Sequence, residues 1–365
     1  MGLNFDASSC VRTSAIASNC QKCVDICPVQ TIKLTSNLPS FTPIECIECG
    51  GCAGVCPTSS FALSEFNVTD FSFEYFTDPK VLSCKQNTPC LAVFNSEELI
   101  SLALGSDKEL VLDIGHCETC EIKEKLYPLI KANIEETNFI LSSFSSKQIK
   151  CESIKLESPR AKNEESGRRY FLHSFKPINA IKHKVEFDEI VNKDELKSFE
   201  LDDAMISKIK NKKISDRRKL FFALLKQGEK PKRYETIDSN DISFSSQKYI
   251  NQNCNNCQIC YRVCPTGALS SSNNFDQIHF DAMLCVKCHL CHDVCTQNAI
   301  HIQPSFEIKE FFEPTGRVLA NFTIKRCDEC GNSFTYLGGD TVCPRCSTEE
   351  DEAIMLHQTA RNNLK

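Results

Sequence analysis

A chain of 365 residues, 41% hydrophobic and 25% charged, has the make-up of a globular protein of about two or three domains. Its net charge of -6 argues against a general nucleic-acid binder, which would be basic. No run approaches the roughly 18 apolar residues that cross a bilayer, and Met1–Cys10 (MGLNFDASSC) lacks the basic and apolar regions of a signal peptide.

Cysteine is the outlier, with 25. Many fall in C-x2-C groups on a long chain without an export signal, which points to metal ligation in a reducing compartment rather than to disulfides. The expected location is therefore the cytoplasm. A lone Gly2 is weak evidence of lipidation.

Residues 1–66 read as the first unit. Cys46, Cys49, Cys52 and Cys56 have the spacing C-x2-C-x2-C-x3-C and are followed by Pro57. Gly50, Gly51 and Gly54 lie among them, small enough to let the backbone approach a cluster and offer N–H groups to its sulfurs. Upstream, Cys20, Cys23 and Cys27-Pro28 match the last three positions of such a run, but the first falls on Ala17. Thr31–Leu34 (TIKL) is expected to be a short strand of a small two-fold α/β unit.

Residues 67–150 change character. Strands are expected at Lys80–Cys84, Glu109–Ile114 and Phe139–Ser142, and helices at Glu97–Leu104 and Lys123–Glu136. Leu126, Leu129, Ile130 and Ile134 share a face of the second helix, and Pro128 suits its first turn. The alternation predicts a small parallel sheet with covering helices, a middle α/β domain. Cys84 ends the first strand, Cys90 lies in the loop beyond it, and Cys117 and Cys120 (HCETC) follow the second strand. Ligand sites of open parallel sheets lie at the carboxyl ends of the strands, so these four thiols form a candidate metal, cluster or dithiol site. The alternative is two small buried cysteines and one unspecific C-x2-C. Cys151 reads as an ordinary thiol.

Residues 151–245 hold no ligand motif and read as a partly helical, basic connector. Lys208–Lys219 (KIKNKKISDRRK) is strongly basic, and Asp216–Lys226 is a helix offering Leu220, Phe221, Leu224 and Leu225 to an apolar surface. Arg168–Leu172 (RRYFL) echoes Arg217–Phe221 (RRKLF). The basic face would neutralise anionic clusters, dock an acidic partner, or simply be solvated.

Residues 246–310 carry the strongest signal. Cys254, Cys257, Cys260 and Cys264, followed by Pro265, repeat the C-x2-C-x2-C-x3-C run, and Cys285, Cys288, Cys291 and Cys295 repeat it again with Thr296 in place of proline. Tandem runs of this kind closely resemble the bacterial-type dicluster ferredoxins, which hold two [4Fe–4S] clusters. The resemblance implies crossed ligand sets: Cys254, Cys257, Cys260 with Cys295, and Cys285, Cys288, Cys291 with Cys264. Carried to the first unit, it implies Cys46, Cys49, Cys52 with Cys27, and Cys20, Cys23 with Cys56. That last set lacks a fourth ligand. Cys10 can reach it, since the arm to Cys20 is long enough to fold back. The alternatives are a three-iron cluster, a labile cube, or a ligand such as Asn19 or water. Tyr261, Arg262, His289 and His292, inside the runs, would bond cluster sulfurs, face a partner, or be ordinary loop residues.

Residues 311–365 contain Cys327, Cys330 (CDEC) and Cys343, Cys346 (CPRC). Two such knuckles resemble a zinc ribbon more than a rubredoxin, because the loop between them is short. This implies one tetrahedral Zn, or Fe, on four thiolates. Glu349–Glu352 is expected as an acidic cap ahead of a C-terminal helix.

The expected architecture is α+β and multidomain: two ferredoxin-like modules, the middle α/β domain and the ribbon. Up to four [4Fe–4S] clusters, one Zn or Fe, and a possible further metal or cluster in the middle domain follow. There is no dinucleotide fingerprint, phosphate loop or nucleophile–base pair. The function expected is therefore an iron–sulfur electron-transfer protein, or electron-transfer subunit, relaying single electrons between redox enzymes. Its partners would be redox proteins such as a dehydrogenase, reductase or hydrogenase-type complex. The alternatives are an oxidoreductase subunit with a catalytic middle-domain site, and an assembly or redox-sensing protein.

Overall fold

The computed structural model describes residues 2–154 and 212–362. The Arg168–Leu172 echo and most of the connector lie outside the described residues.

The first and second cysteine-rich units share a strand plan. Leu3–Phe5 pairs antiparallel with Phe61–Leu63 and closes the first unit, as Lys248–Ile250 pairs with Ile300–Ile302 in the second. An inner hairpin follows: Ile32–Thr35 with Leu38–Phe41, and Leu269–Ser271 with Gln277–Phe280. The first hairpin turns on Ser36 and Asn37, both with positive φ, as a tight two-residue turn requires. In the second unit Arg317–Asn321, grouped with the ribbon by sequence, adds a third strand against Gln277–Phe280.

The middle unit contains a parallel pair, Leu110–Asp113 with Ile149–Glu152. Two expectations fail here. The Lys80–Cys84 strand shrinks to a single bridge from Leu82 to Leu112, because the chain turns at once, with the N–H groups of Gln86, Asn87 and Thr88 all reaching the Ser83 carbonyl. Phe139–Ser142 is not a strand. It completes the helix Lys123–Ser142, whose buried face continues through Thr137, Ile140 and Leu141. Ile149–Glu152, bearing Cys151, takes its place in the sheet. Pro128 lies inside this helix rather than at its start, on the exposed side.

One apolar core runs through all three units. The middle unit meets the first at a close backbone crossing. A Cβ on Gly54 would lie 2.2 Å from the Ala92 carbonyl, and one on Gly50, at φ +75°, 2.7 Å from Val93 Cγ2. These glycines therefore admit the turn Leu91–Val93, a role that cluster approach alone did not suggest.

The helix Asp216–Gln227 fastens the units together. Phe221 is buried edge-on against Phe244 and Phe311, with ring centroids 5.7 and 5.3 Å away. Leu225 is buried too, but Leu220 and Leu224 only partly. Its arginine pair is not a solvated basic face. Arg217 donates to the carbonyls of Cys56 (2.8 Å) and Pro57 (2.7 Å) in the first unit. Arg218, fully enclosed, donates to the carbonyls of Met283 (2.9 Å) and Phe244 (2.7 Å) in the second. Its Nε lies 2.5 Å from Glu97 of the middle unit, which is also fully enclosed.

Replacing Glu97 with Ala leaves an uncompensated buried guanidinium, at an expected cost of about 3–5 kcal/mol. Anaerobic thermal unfolding of E97A should show a clearly lowered midpoint. A wild-type midpoint would mean that the pair contributes nothing to the joint.

Candidate metal centres

Three C-x2-C-x2-C loops share one backbone form. The residues before and after the second cysteine have positive φ: Glu48 and Gly50, Asn256 and Gln258, Lys287 and His289. This left-handed pair curls each loop so that its thiols face one point. The loop before Cys20 lacks it, as the Ala17 gap implies. After the fourth cysteine all four runs agree again, since Gln30, Ser59, Gly267 and Asn298, each three residues on, have positive φ.

In the second unit these loops wall two cavities. One is lined by Cys254, Cys257, Cys260 and Cys295; the other by Cys264, Cys285, Cys288 and Cys291. Each cavity is thus lined by the first three cysteines of one run and the fourth of the other. Burial pushes the Cys260 thiol up to about 12, and the neighbouring Cys291, Cys254 and Cys257 add to it. Thiols so placed stay protonated until a cation joins them, so metal uptake must displace protons. The Ala299 N–H donates to Cys295 Sγ at 3.2 Å, the kind of bond that tunes a cluster. Four soft sulfurs around a cavity, with such donors, fit a [4Fe–4S] cluster.

In the first unit Cys10, Cys20, Cys23 and Cys56 are neighbours, as Cys27 is of Cys46 and Cys49. Burial raises Cys10 to about 11, with Cys56 and Cys20 nearby, and raises Cys23 to about 12, with Cys56, Cys20 and Cys10 nearby. Cys46 and Cys49, raised by burial, both have Cys27 as a neighbour. Ser60 N–H donates to Cys56 Sγ at 3.2 Å, the counterpart of the Ala299 bond. Cys10 is buried beside Cys20, Cys23 and Cys56, and Asn19 bonds the Asp293 carboxylate through its N–H and Nδ2.

The two units meet there. Val11, Leu290 and Val294 form a small buried cluster, flanked by Cys20 of the first unit and Cys288 of the second. Lys248 is buried and lines the cavity of Cys264, Cys285, Cys288 and Cys291 together with His289. Its Nζ lies 3.0 Å from His292 Nε2. Burial, with Lys248 next in weight, holds the His292 imidazole down to about 3. Tyr261 is buried, and Arg262 bonds Gln258 at 2.6 Å.

In the middle unit Cys90 and Cys117 are buried, while Cys84 and Cys120 are half-buried. Burial raises Cys90 to about 12, with Cys49, Cys84 and Cys117 as neighbours.

At the ribbon, the hairpin Thr323–Arg326 with Ser333–Tyr336 presents Cys327 and Cys330, and the helix Pro344–Asn362 starts beside Cys343 and carries Cys346. The acidic run Glu349–Glu352 lies within that helix, not ahead of it. All four Sγ atoms lie within 4.8 Å of one another, and Cys330 and Cys343 are 3.7 Å apart. A zinc ion at about 2.3 Å from each sulfur sets them roughly 3.8 Å apart, so this group fits a single ion. The N–H groups of Cys330 and Cys343 hold the Cys327 thiol down to about 6. Asn256 Nδ2 donates to Thr335 Oγ1 at 3.0 Å, tying the ribbon to the second unit.

Comparison with known proteins agrees with this geometry. Residues 253–300 match the family model of the 4Fe-4S dicluster domain. No curated protein matches the chain. The chain therefore carries a ferredoxin-type iron–sulfur domain and a cysteine tetrad able to bind a metal, which fits an electron-transfer role. Among the described residues, no helix is long and apolar enough to cross a membrane.

Two outcomes are expected. A cation within about 8 Å of a cluster, at an effective dielectric of about 20, interacts by about 2 kcal/mol. K248M should therefore lower one midpoint potential by roughly 90 mV in an EPR-monitored titration; unaltered potentials would remove Lys248 from the cluster's surroundings. C330S should abolish metal binding at the tetrad and expose residues 323–346 to proteolysis, because the ribbon's buried core consists of Cys327, Cys343 and Cys346 themselves.

Proposed function

We propose that this protein is a multi-cluster electron carrier, or electron-transfer subunit, with four [4Fe–4S] clusters on two dicluster modules. The ligand sets are Cys254, Cys257, Cys260, Cys295; Cys264, Cys285, Cys288, Cys291; Cys27, Cys46, Cys49, Cys52; and Cys10, Cys20, Cys23, Cys56. The shared strand plan and the recurring left-handed residues support the first unit as a second module. Cys327, Cys330, Cys343 and Cys346 hold a structural Zn.

The observation that carries the reading is the junction at Val11, Leu290 and Val294. Cys20 and Cys288 flank it, so the inner cluster of each module lies at the shared face. Within each module, Cys23 neighbours Cys52 and Cys260 neighbours Cys291. The four sets thus form one series rather than two separate pairs. A bound cluster supplies one-electron chemistry; the chain's own residues fix spacing, exclude water and donate hydrogen bonds. The exposed Cys257 at one end of the series suits exchange with a redox protein partner. The proposed setting is a reducing compartment such as the cytoplasm.

Anaerobically purified protein should contain iron and sulfide for at least four cubanes, all reversibly reduced in an EPR titration. Fewer than three would reject the relay. C10S should alter the EPR signature of one cluster and leave the others intact. An unaltered spectrum would return that site to the three-iron or externally ligated alternatives.

A further inference from the structure

Four thiols of the middle unit have no part in the relay above. Cys84 and Cys117 leave neighbouring parallel strand segments at the same edge. Leu82 N–H bonds the Val111 carbonyl, Asp113 N–H bonds the Leu82 carbonyl, both at 2.9 Å, and Ser83 Oγ donates to Asp113 Oδ2 at 2.8 Å. The two strand ends are thereby locked side by side. Cys120 closes the short turn that Cys117 opens, its N–H reaching the Cys117 carbonyl at 3.4 Å. Cys90 opens the turn Leu91–Val93, which is seated on Gly50 and Gly54. Cys49, Cys90 and Cys117 belong to the same buried core.

This arrangement differs from the ribbon. Among the described residues, the ribbon group is the one in which three or more ligand atoms converge within 4.8 Å, so the middle-unit thiols are spread more widely than a single ion draws its ligands. None of the four is in a disulfide. Cys117 has Cys84 and Cys120 as neighbours, and Cys90 has Cys84 and Cys117, so the four sulfurs are close without converging on one ion, the spacing that a polynuclear cluster needs.

We propose that Cys84, Cys90, Cys117 and Cys120 hold a fifth iron–sulfur cluster, adjoining the one on Cys27, Cys46, Cys49 and Cys52. Four thiolates serve both the [2Fe–2S] and the [4Fe–4S] class. Cys90 and Cys49 are neighbours beside the glycine crossing and would be the point of electron passage. With both clusters bound the step would be outer-sphere: one electron would pass from the neighbouring cluster to the fifth, oxidising the first and reducing the second by one, with no bond made or broken. The fifth cluster extends the proposed series beyond the two modules. Its half-buried Cys84 and Cys120 place it near the surface, at the opposite end of the series from Cys257.

The test compares full-length wild type with the C117S/C120S double variant, both purified anaerobically. The variant should lose about two or four iron atoms per chain, with matching sulfide, while zinc and the remaining EPR signals stay unchanged. Equal iron, sulfide and spectra in the two proteins would overturn the proposal, as would a loss of zinc in place of iron. Should the double variant fail to fold, C84S at the half-buried ligand decides: a shifted signal from one cluster supports the site, and a wild-type spectrum overturns it. The readout is a difference between variant and wild type. Failure of the relay would appear instead as a shortfall in the wild type itself.

Discussion

The ion pair of Glu97 and Arg218 is the joint on which the relative placement of the units depends. Both side chains are fully enclosed, and each comes from a different part of the chain. Burying two charges is costly, and a well-packed apolar pair would often be at least as stable. The guanidinium gives directionality that an apolar contact lacks. Its donors reach carbonyls at Met283 and Phe244 while its Nε faces Glu97, so it fits only when the middle unit and the second unit are correctly placed. Arg217 adds the first unit through the carbonyls beside Cys56. One helix thus holds three pieces in register.

For the proposed relay that register matters, because electron passage weakens steeply with distance. Small cysteine-rich units cannot build large cores of their own, and here they share a single core with the middle unit. The shared core holds the glycine crossing at Gly54, while a separate small cluster of Val11, Leu290 and Val294 holds the junction between the first and second units. The Asn19–Asp293 bonds, between residues 274 apart in sequence, pin the junction at Leu290.

The electrostatics follow from the same packing. Most cysteines of the sets are buried, and at Cys10, Cys90 and Cys260 burial disfavours the thiolate more than any neighbour does. Metal charge is what makes such clusters of sulfur tolerable, so metal uptake and folding are coupled. Lys248 is a fixed cation at the inner end of one set, and its presence depresses protonation of His292. The ribbon stands apart, with its own small core built from ligand thiols.

Spacing along the chain was enough to identify the second unit's cysteine runs, the ribbon tetrad and the gap at Ala17, because ligand loops are local and their geometry is set within a few residues. Helices Ser96–Leu104 and Asp216–Gln227 were also legible from their apolar period. The apolar residues Phe139–Leu141 misled, since a short apolar run does not distinguish a strand from the last turns of a buried helix. Nor could local pattern reveal that Arg217 and Arg218 are interior or that Gly54 exists for a neighbouring backbone. Each of those depends on a partner remote in sequence, and only the packed tertiary structure brings the partners together.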